Sequence, residues 1–260
     1  MRAIWTGSLS FGLVNIPVRL YSATAGTELS FAYLHKQDLS PIKYVKICRR
    51  EGKEVPFEDI VKGYEYQDGD YVILTDEDFK KVNLKKTKTI DIVEFTDEKE
   101  INPELYEKPY YLEPDKGSEK PYALLREALG RSGKVGVSKF VLRNREHLAV
   151  IRPHKEAIVL NQLRFKSELR DPSALNLPEG SLADNREIEM ALKFIDQLTD
   201  HFQPDEFRDT YEDELKDMIQ KKVKGKPVKI KGEKVPEPTR VDDLMSTLKA
   251  SLKREQAKSK

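Results

Sequence analysis

The apolar positions near the start of the chain alternate with polar ones. Leu9, Phe11 and Leu13, then Ile16, Val18 and Leu20, recur at a period of two and predict a pair of short strands. Tyr71–Leu74 and Ile90–Phe95 are rich in β-branched and aromatic residues and predict two more. From Val135 to Phe165 the runs VGVSKFVL, HLAVIR and AIVLNQLRF predict a three-stranded meander, with turns near Asn144-Arg145 and His154-Lys155. One helix interrupts this part at Pro121–Leu129, with Pro121 in its first turn and Gly130 as its stop. Consecutive strands joined by short turns favour a barrel or sandwich over a βαβ sheet.

After Pro178 the period changes. Ile188, Ala191, Leu192, Ile195, Leu198 and Phe202 fall at helical spacing, with Ser181 and Asp184 available as caps. A second amphipathic helix is predicted on Phe207, Tyr211, Leu215, Met218 and Ile219, ending near Gly225 and Pro227. Gly225–Arg240 holds four Lys, two Gly and three Pro and reads as a linker. A last short helix is predicted at Val241–Leu252. The expected organisation is therefore a β core over 1–183, a helical region over 184–224, and a Lys/Pro-rich linker with a short helix over 225–260.

Composition narrows the class. In 260 residues, 38% hydrophobic positions and 22 aromatics are enough for a folded core and exclude a wholly disordered chain. No run approaches the roughly 18–20 apolar residues that cross a bilayer. The weakly apolar N-terminus is broken by Ser8, Ser10, Asn15, Pro17 and Arg19, too polar for a signal peptide. A single cysteine, Cys48, excludes intramolecular disulfides and fits a reducing cytoplasm.

The net charge of +1 hides strong blocks. Lys36–Lys53 carries +4, Glu54–Asp78 −8, Asp91–Glu119 −7, Arg126–Lys155 +6 and Lys216–Lys234 +6. Such patterning predicts one basic and one acidic face after folding. Lys139, Arg143 and Arg145 occur on strands whose alternate residues are apolar, which predicts a basic sheet face suited to a polyanion.

Catalytic motifs are absent by comparison. Gly130-Arg131-Ser132-Gly133-Lys134 mimics a phosphate-binding loop but has two residues between its glycines instead of four, and Val135 in place of Ser or Thr. Asp205, Glu214 and Lys216 match a loose nuclease pattern, yet they flank an amphipathic helix where acids suit the helix dipole. The four histidines lack ligand spacing and Cys48 lacks a partner for zinc. No catalytic residue, metal or cofactor is assigned, and the chain reads as a binding protein.

Longer runs then carry a resemblance. IWTGSLSFGLVNIPVRLYSAT from Ile4, GKEVPFEDIVKGYEY from Gly52, YVILTDEDF from Tyr71 and IDIVEFTDEKEINPELYEKPYYLEPDKGSEKPYALLREAL from Ile90 resemble bacterial Ku, the DNA-end-binding protein of non-homologous end joining. The match continues through Gly133–Phe165 and DTYEDELKDMIQKKVKGK from Asp209. The resemblance implies a mainly β fold, a β-barrel core with extended ring-forming arms plus C-terminal α-helices. It implies a homodimeric ring that threads onto linear double-stranded DNA ends, and a multifunctional ATP-dependent DNA ligase (ligase D) as partner. It also implies a cytoplasmic, nucleoid-associated location and no von Willebrand-type domain in front.

Physical scale agrees with that implication. A core of about 180 residues has a radius of gyration of roughly 16 Å and cannot also enclose a duplex unless chain is drawn out. The segment 25–66 suits such an arm, since twenty extended residues reach roughly 65 Å. A ring that contacts phosphates needs no base readout. The expected DNA-facing residues are Lys36, Lys43, Lys46, Arg49, Arg50 and Lys53 on the arm, and Arg126, Arg131, Lys134, Lys139 and Arg143 on the barrel. Phe207, Tyr211, Leu215 and Ile219 form a stripe that either packs on its own core or dimer mate or docks the ligase. Two other classes stay open: a metal-dependent nuclease on Asp205, Glu214 and Lys216, and an architectural protein binding internal duplex.

Overall fold

The computed structural model describes residues 1–26, 29–83, 88–143, 145–180, 183–225 and 244–258. These fall into two compact units, Met1–Asp171 and Pro172–Lys260. Seven strands of the first unit close into a barrel, in the order β1-β2-β6-β9-β8-β7-β5. They are β1 (Trp5–Phe11), β2 (Val14–Ser22), β5 (Thr89–Asp97), β6 (Tyr106–Pro114), β7 (Lys134–Leu142), β8 (Arg145–His154) and β9 (Ala157–Leu163). All neighbours are antiparallel except β1 and β5, which pair in parallel at Ser8–Phe11 and close the barrel.

The expected hairpin and meander are both present. Gly12, at φ 58°, makes the β1–β2 turn, and the register Leu9 opposite Ile16 puts both side chains in the barrel interior. Strand β7 shows how alternation sorts residues. Ser138, Phe140 and Leu142 are buried, Phe140 and Leu142 within the main core, while Lys139 is exposed between them. The outer faces of β7, β8 and β9 carry a second, smaller cluster of Val135, Val150 and Leu163. Ile101 and Leu105 pack onto it from the connection between β5 and β6, and Tyr106 from the first position of β6.

Helix α2 (Glu119–Ser132) closes one end of the barrel through Tyr122, Leu125 and Leu129, all within 6% of full burial. It begins two residues before Pro121 and runs past Gly130. The residue that stops it is Gly133, left-handed at φ 65°, whose N–H bonds to the Leu129 carbonyl. Gly130 stays helical because the next turn has a better stop available. The Tyr122 hydroxyl donates to the Leu112 carbonyl at 2.7 Å and accepts from the Ile158 N–H at 2.6 Å, bridging β6 and β9 at that end. The opposite end, where β2, β7 and β9 finish and β1, β6 and β8 begin, opens into a cavity.

Between β2 and β5 the chain leaves the barrel. Among the described residues, 24–61 hold two isolated bridges, Leu34–Pro41 and Ile47–Glu54, and one 3-10 turn at Phe57–Asp59. The excursion continues past Tyr66 through a two-stranded ribbon, β3 (Lys62–Gln67) with β4 (Asp70–Leu74), and the short helix α1 (Asp76–Asn83). Strands β3 and β6 and helix α1 lack the clean periodicity that marked the others.

The second unit contains α3 (Asn185–Leu198), α4 (Thr210–Val223) and α5 (Leu244–Lys258). Asp184 caps α3 in a reciprocal box with Glu187, at 2.8 and 2.9 Å, as its spacing predicts. The alternative cap Ser181, the turn residue Asn144 and most of the Lys/Pro-rich linker, 226–243, lie outside the described residues. No helix among the described residues is long and apolar enough to cross a membrane.

Candidate nucleic-acid interface

The arm presents its basic residues on two reverse turns. In the first, His35 N–H bonds to the Ser40 carbonyl and Leu39 N–H to the His35 carbonyl, both at 2.8 Å, leaving Lys36 at the tip. Asp38 holds the turn from inside, accepting from Ser40 N–H at 3.1 Å, Ser40 Oγ at 2.8 Å and His35 Nδ1 at 2.8 Å. The Ser40 amide, then its hydroxyl, then His35 lower the Asp38 carboxyl below its ordinary range. In the second turn, Cys48 N–H bonds to the Lys53 carbonyl and Gly52 N–H to the Cys48 carbonyl, both at 2.9 Å. Gly52 takes φ 68°, and Arg49 and Arg50 stand at the tip.

Backbone bonds therefore fix where these cations sit, while the side chains stay in solvent. Lys36, Arg49, Arg50 and Lys53 have no carboxylate partner among the described residues. Lys43 does, pairing with Glu54 at 3.7 Å, and Lys46 lies over the Phe57 ring at 5.2 Å.

The barrel residues separate into three places, so the single basic sheet face expected from the sequence does not form. Arg126 and Arg131 are on α2 at the closed end. Arg126 donates to the Glu156 carboxylate at 2.6 Å and to its backbone carbonyl at 2.8 Å, and Arg131 pairs with Glu127. Lys134 begins β7 just after the C-cap of α2, at the same end, and pairs with Asp97 at 2.8 Å, whereas Lys139 lies on the outer wall. Arg143 stands at the open mouth with Arg145, which pairs with Glu168. The physical reason is that β7 and β8 carry interior residues on one face and solvent-facing residues on the other, and their turns add a third location.

Sequence reasoning missed the exposed aromatics that accompany the arm cations. Phe31, Tyr33, Tyr44 and Phe57 are 63%, 70%, 76% and 84% exposed, and Tyr33 and Tyr44 pack edge to face. Tyr64, Tyr66 and Tyr71 on the β3–β4 ribbon are also exposed. Their signal was available, since a polar, weakly periodic segment has no internal reason to hold so many rings.

In the second unit, Tyr211, Leu215 and Ile219 share α4 at helical spacing. Tyr211 is exposed and Leu215 half-buried. Phe207 precedes the helix and stacks on Phe202, with ring centroids 5.5 Å apart. The stripe is therefore carried by three helical residues and one preceding loop residue.

The nuclease pattern finds no support in this geometry. Lys216 bonds to Glu212 at 2.9 Å, a contact that raises the lysine's pKa, and so faces away from a role beside Glu214. Asp205 sits in a separate 3-10 turn, Pro204–Glu206. Among the described residues no three His, Cys, Asp or Glu side chains converge to hold a metal ion. The Gly130–Lys134 run is the end of α2 and the start of β7, the reverse of a strand–loop–helix phosphate cradle.

Comparison with known proteins agrees with this architecture. Residues 10–190 match the family described as Ku70/Ku80 beta-barrel domain. The chain is 43% identical over 255 residues to the Non-homologous end joining protein Ku of Opitutus terrae, covering 97% of this chain and 91% of that one. It is 44% identical over 255 residues to the protein of that name from Archaeoglobus fulgidus, with 97% and 98% covered. For the Bacillus subtilis protein the figures are 38% over 256 residues, with 98% and 82% covered. Barrel, arm excursion and near full-length similarity coincide, and the chain belongs to the Ku family.

Proposed function

We propose that this chain binds the ends of double-stranded DNA in non-homologous end joining, without regard to sequence and without catalysing a reaction. The observation that carries the reading is the arm. A long excursion from a closed barrel presents Lys36, Arg49, Arg50 and Lys53 on backbone-fixed turns, without a carboxylate partner among the described residues. Duplex DNA offers one phosphate charge per roughly 1.7 Å of axis, so such an arm binds any sequence. The names of the similar proteins supply the process.

The working form in this reading is a homodimeric ring that protects and bridges ends. The exposed rings of the arm and the β3–β4 ribbon support it, because patches of apolar surface of this extent ordinarily meet a partner. Recruitment and stimulation of a multifunctional ATP-dependent ligase D is assigned to the second unit, on Phe207, Tyr211, Leu215 and Ile219. The cytoplasm, at the nucleoid, is the location that suits these partners.

The test is a gel-shift competition with one DNA sequence in three forms: a linear fragment, a covalently closed circle, and a linear fragment with bulky caps on both ends. Competition by free-ended DNA alone is the expected result. Equal competition by circles would overturn threading and favour an architectural protein on internal duplex. Truncation after about residue 200 is expected to keep DNA binding and abolish ligase stimulation, and unchanged stimulation would refute that division of labour.

A further inference from the structure

We infer that the open mouth of the barrel is a binding site for a phosphate monoester of nucleotide size. The cavity there measures about 570 Å³. That lies within the roughly 300–1,000 Å³ typical of small-molecule sites and exceeds what a bare phosphate needs. Its wall carries Lys108, Arg143, Arg145 and His147 together with one acid, Glu107, and its floor is polar.

The acids nearby are already engaged. Glu107 accepts from Gln162 Nε2 at 2.8 Å and pairs with Arg164 at 3.6 Å, and Glu168 pairs with Arg145. Two cations then remain uncompensated around one concavity, Lys108 and Arg143. Neither has a carboxylate partner among the described residues, and Lys108 Nζ instead sits 5.7 Å from the Tyr110 ring centroid. An uncompensated arginine fork and an ammonium facing one hollow suit the dianion of a phosphate monoester.

The floor beneath them is fixed. Tyr110 and Gln162 are buried, and the Tyr110 hydroxyl donates to Gln162 Oε1 at 3.3 Å. The His147 ring packs on Phe140, with centroids 5.5 Å apart. Arg143 itself occupies φ 49°, the left-handed region that favours glycine or asparagine, yet the position holds an arginine whose side chain lines the mouth. The larger hollow on the outer wall lacks this character, because Asp97, Glu98 and Glu100 line it and its Arg152 is paired with Glu98 at 3.0 Å. The inference rests on barrel residues and stands whether or not the arm holds DNA.

The phosphate could belong to a free nucleotide or to the 5′ end of a DNA strand, and the experiment separates these. Titration calorimetry on the full chain would compare adenosine 5′-monophosphate with adenosine. Gel shifts would compare duplexes ending in 5′-phosphate with duplexes ending in 5′-hydroxyl. Arg143→Asn, which suits the backbone angle, and Lys108→Met are the test variants, with Lys120→Gln on α2 as control. Binding of the monophosphate but not adenosine, weakened about tenfold in both test variants and unchanged in the control, assigns the site to free nucleotides. A preference for phosphorylated ends that disappears in both variants, while hydroxyl-ended duplex still binds, assigns it to DNA termini. If the wild type neither binds the monophosphate over adenosine nor distinguishes the two duplexes, the inference is overturned. So it is if both variants fold, by urea melt, and behave as wild type. Affinity for the hydroxyl-ended duplex reports separately on the proposal of DNA-end binding.

Discussion

The arm cations can be separated from the other basic residues by salt. Lys36, Arg49, Arg50 and Lys53 lack carboxylate partners among the described residues, while Arg126, Arg131 and Lys134 are held by Glu156, Glu127 and Asp97. A cation that contacts phosphate on binding releases counterions and contributes about 0.9 to the slope of log K against log[salt]. Replacing the four arm residues with Gln should therefore make the slope shallower by roughly three to four units per engaged arm. Near physiological salt each lost contact corresponds to about fivefold in affinity, so the quadruple variant should bind linear duplex about 10³-fold more weakly per engaged arm. The triple variant Arg126→Gln, Arg131→Gln, Lys134→Gln should change the slope by less than about one unit, because those cations are spent on the protein's own acids. Fluorescence anisotropy on a linear duplex over a salt series reads both. The turns are closed by backbone bonds, so circular dichroism should be unchanged in the arm variant. An unaltered slope in the quadruple variant, or an equal fall in the triple one, would refute the sorting of contacts by internal pairing.

Other outcomes follow from particular contacts. Tyr122→Phe orphans the Leu112 carbonyl and the Ile158 N–H at about 1–3 kcal/mol each, so urea unfolding should show a loss of roughly 2–6 kcal/mol at constant m. A loss below about 1 kcal/mol would mean that the two strands pair directly once the hydroxyl is gone. At Gly7 an added Cβ would lie 2.2 Å from the Lys88 carbonyl oxygen and 2.3 Å from the Trp5 ring, so Gly7→Ala should lower the unfolding midpoint, with about 1–3 kcal/mol lost to overpacking. Asp38 has a depressed pKa, so its support of the Lys36 turn is complete above the ordinary carboxylate range and fades as pH falls through the lowered value. The Ser40 amide resonance should follow that titration, and in Asp38→Asn the low-pH transition should be absent.

How much was legible beforehand depended on whether a residue's environment is local. The β1–β2 hairpin and the β7–β8–β9 meander declare themselves because alternate residues face one interior, and a strand one residue out of phase would bury its polar face. The Asp184–Glu187 cap is legible for the same reason, since both partners lie within one turn of helix. Strand β6 was hidden by its own composition. YEKPYYLEP alternates poorly, and a register shift between Tyr106 and Lys108 breaks its phase.

Within the candidate site, the sequence by itself determined that basic residues cluster at 36–53 and 126–155 and that the weakly periodic segment 25–66 suits an extended arm. It could not determine which cations remain unneutralised. That depends on carboxylates far away in the chain, such as Asp97 beside Lys134 and Glu168 beside Arg145. Nor could it show that Lys108, at the start of one strand, and Arg143, after the end of another, line the same mouth. Barrel closure through the parallel β1–β5 pairing brings distant strand ends together, and only that tertiary geometry decides which charges share a hollow and which face solvent.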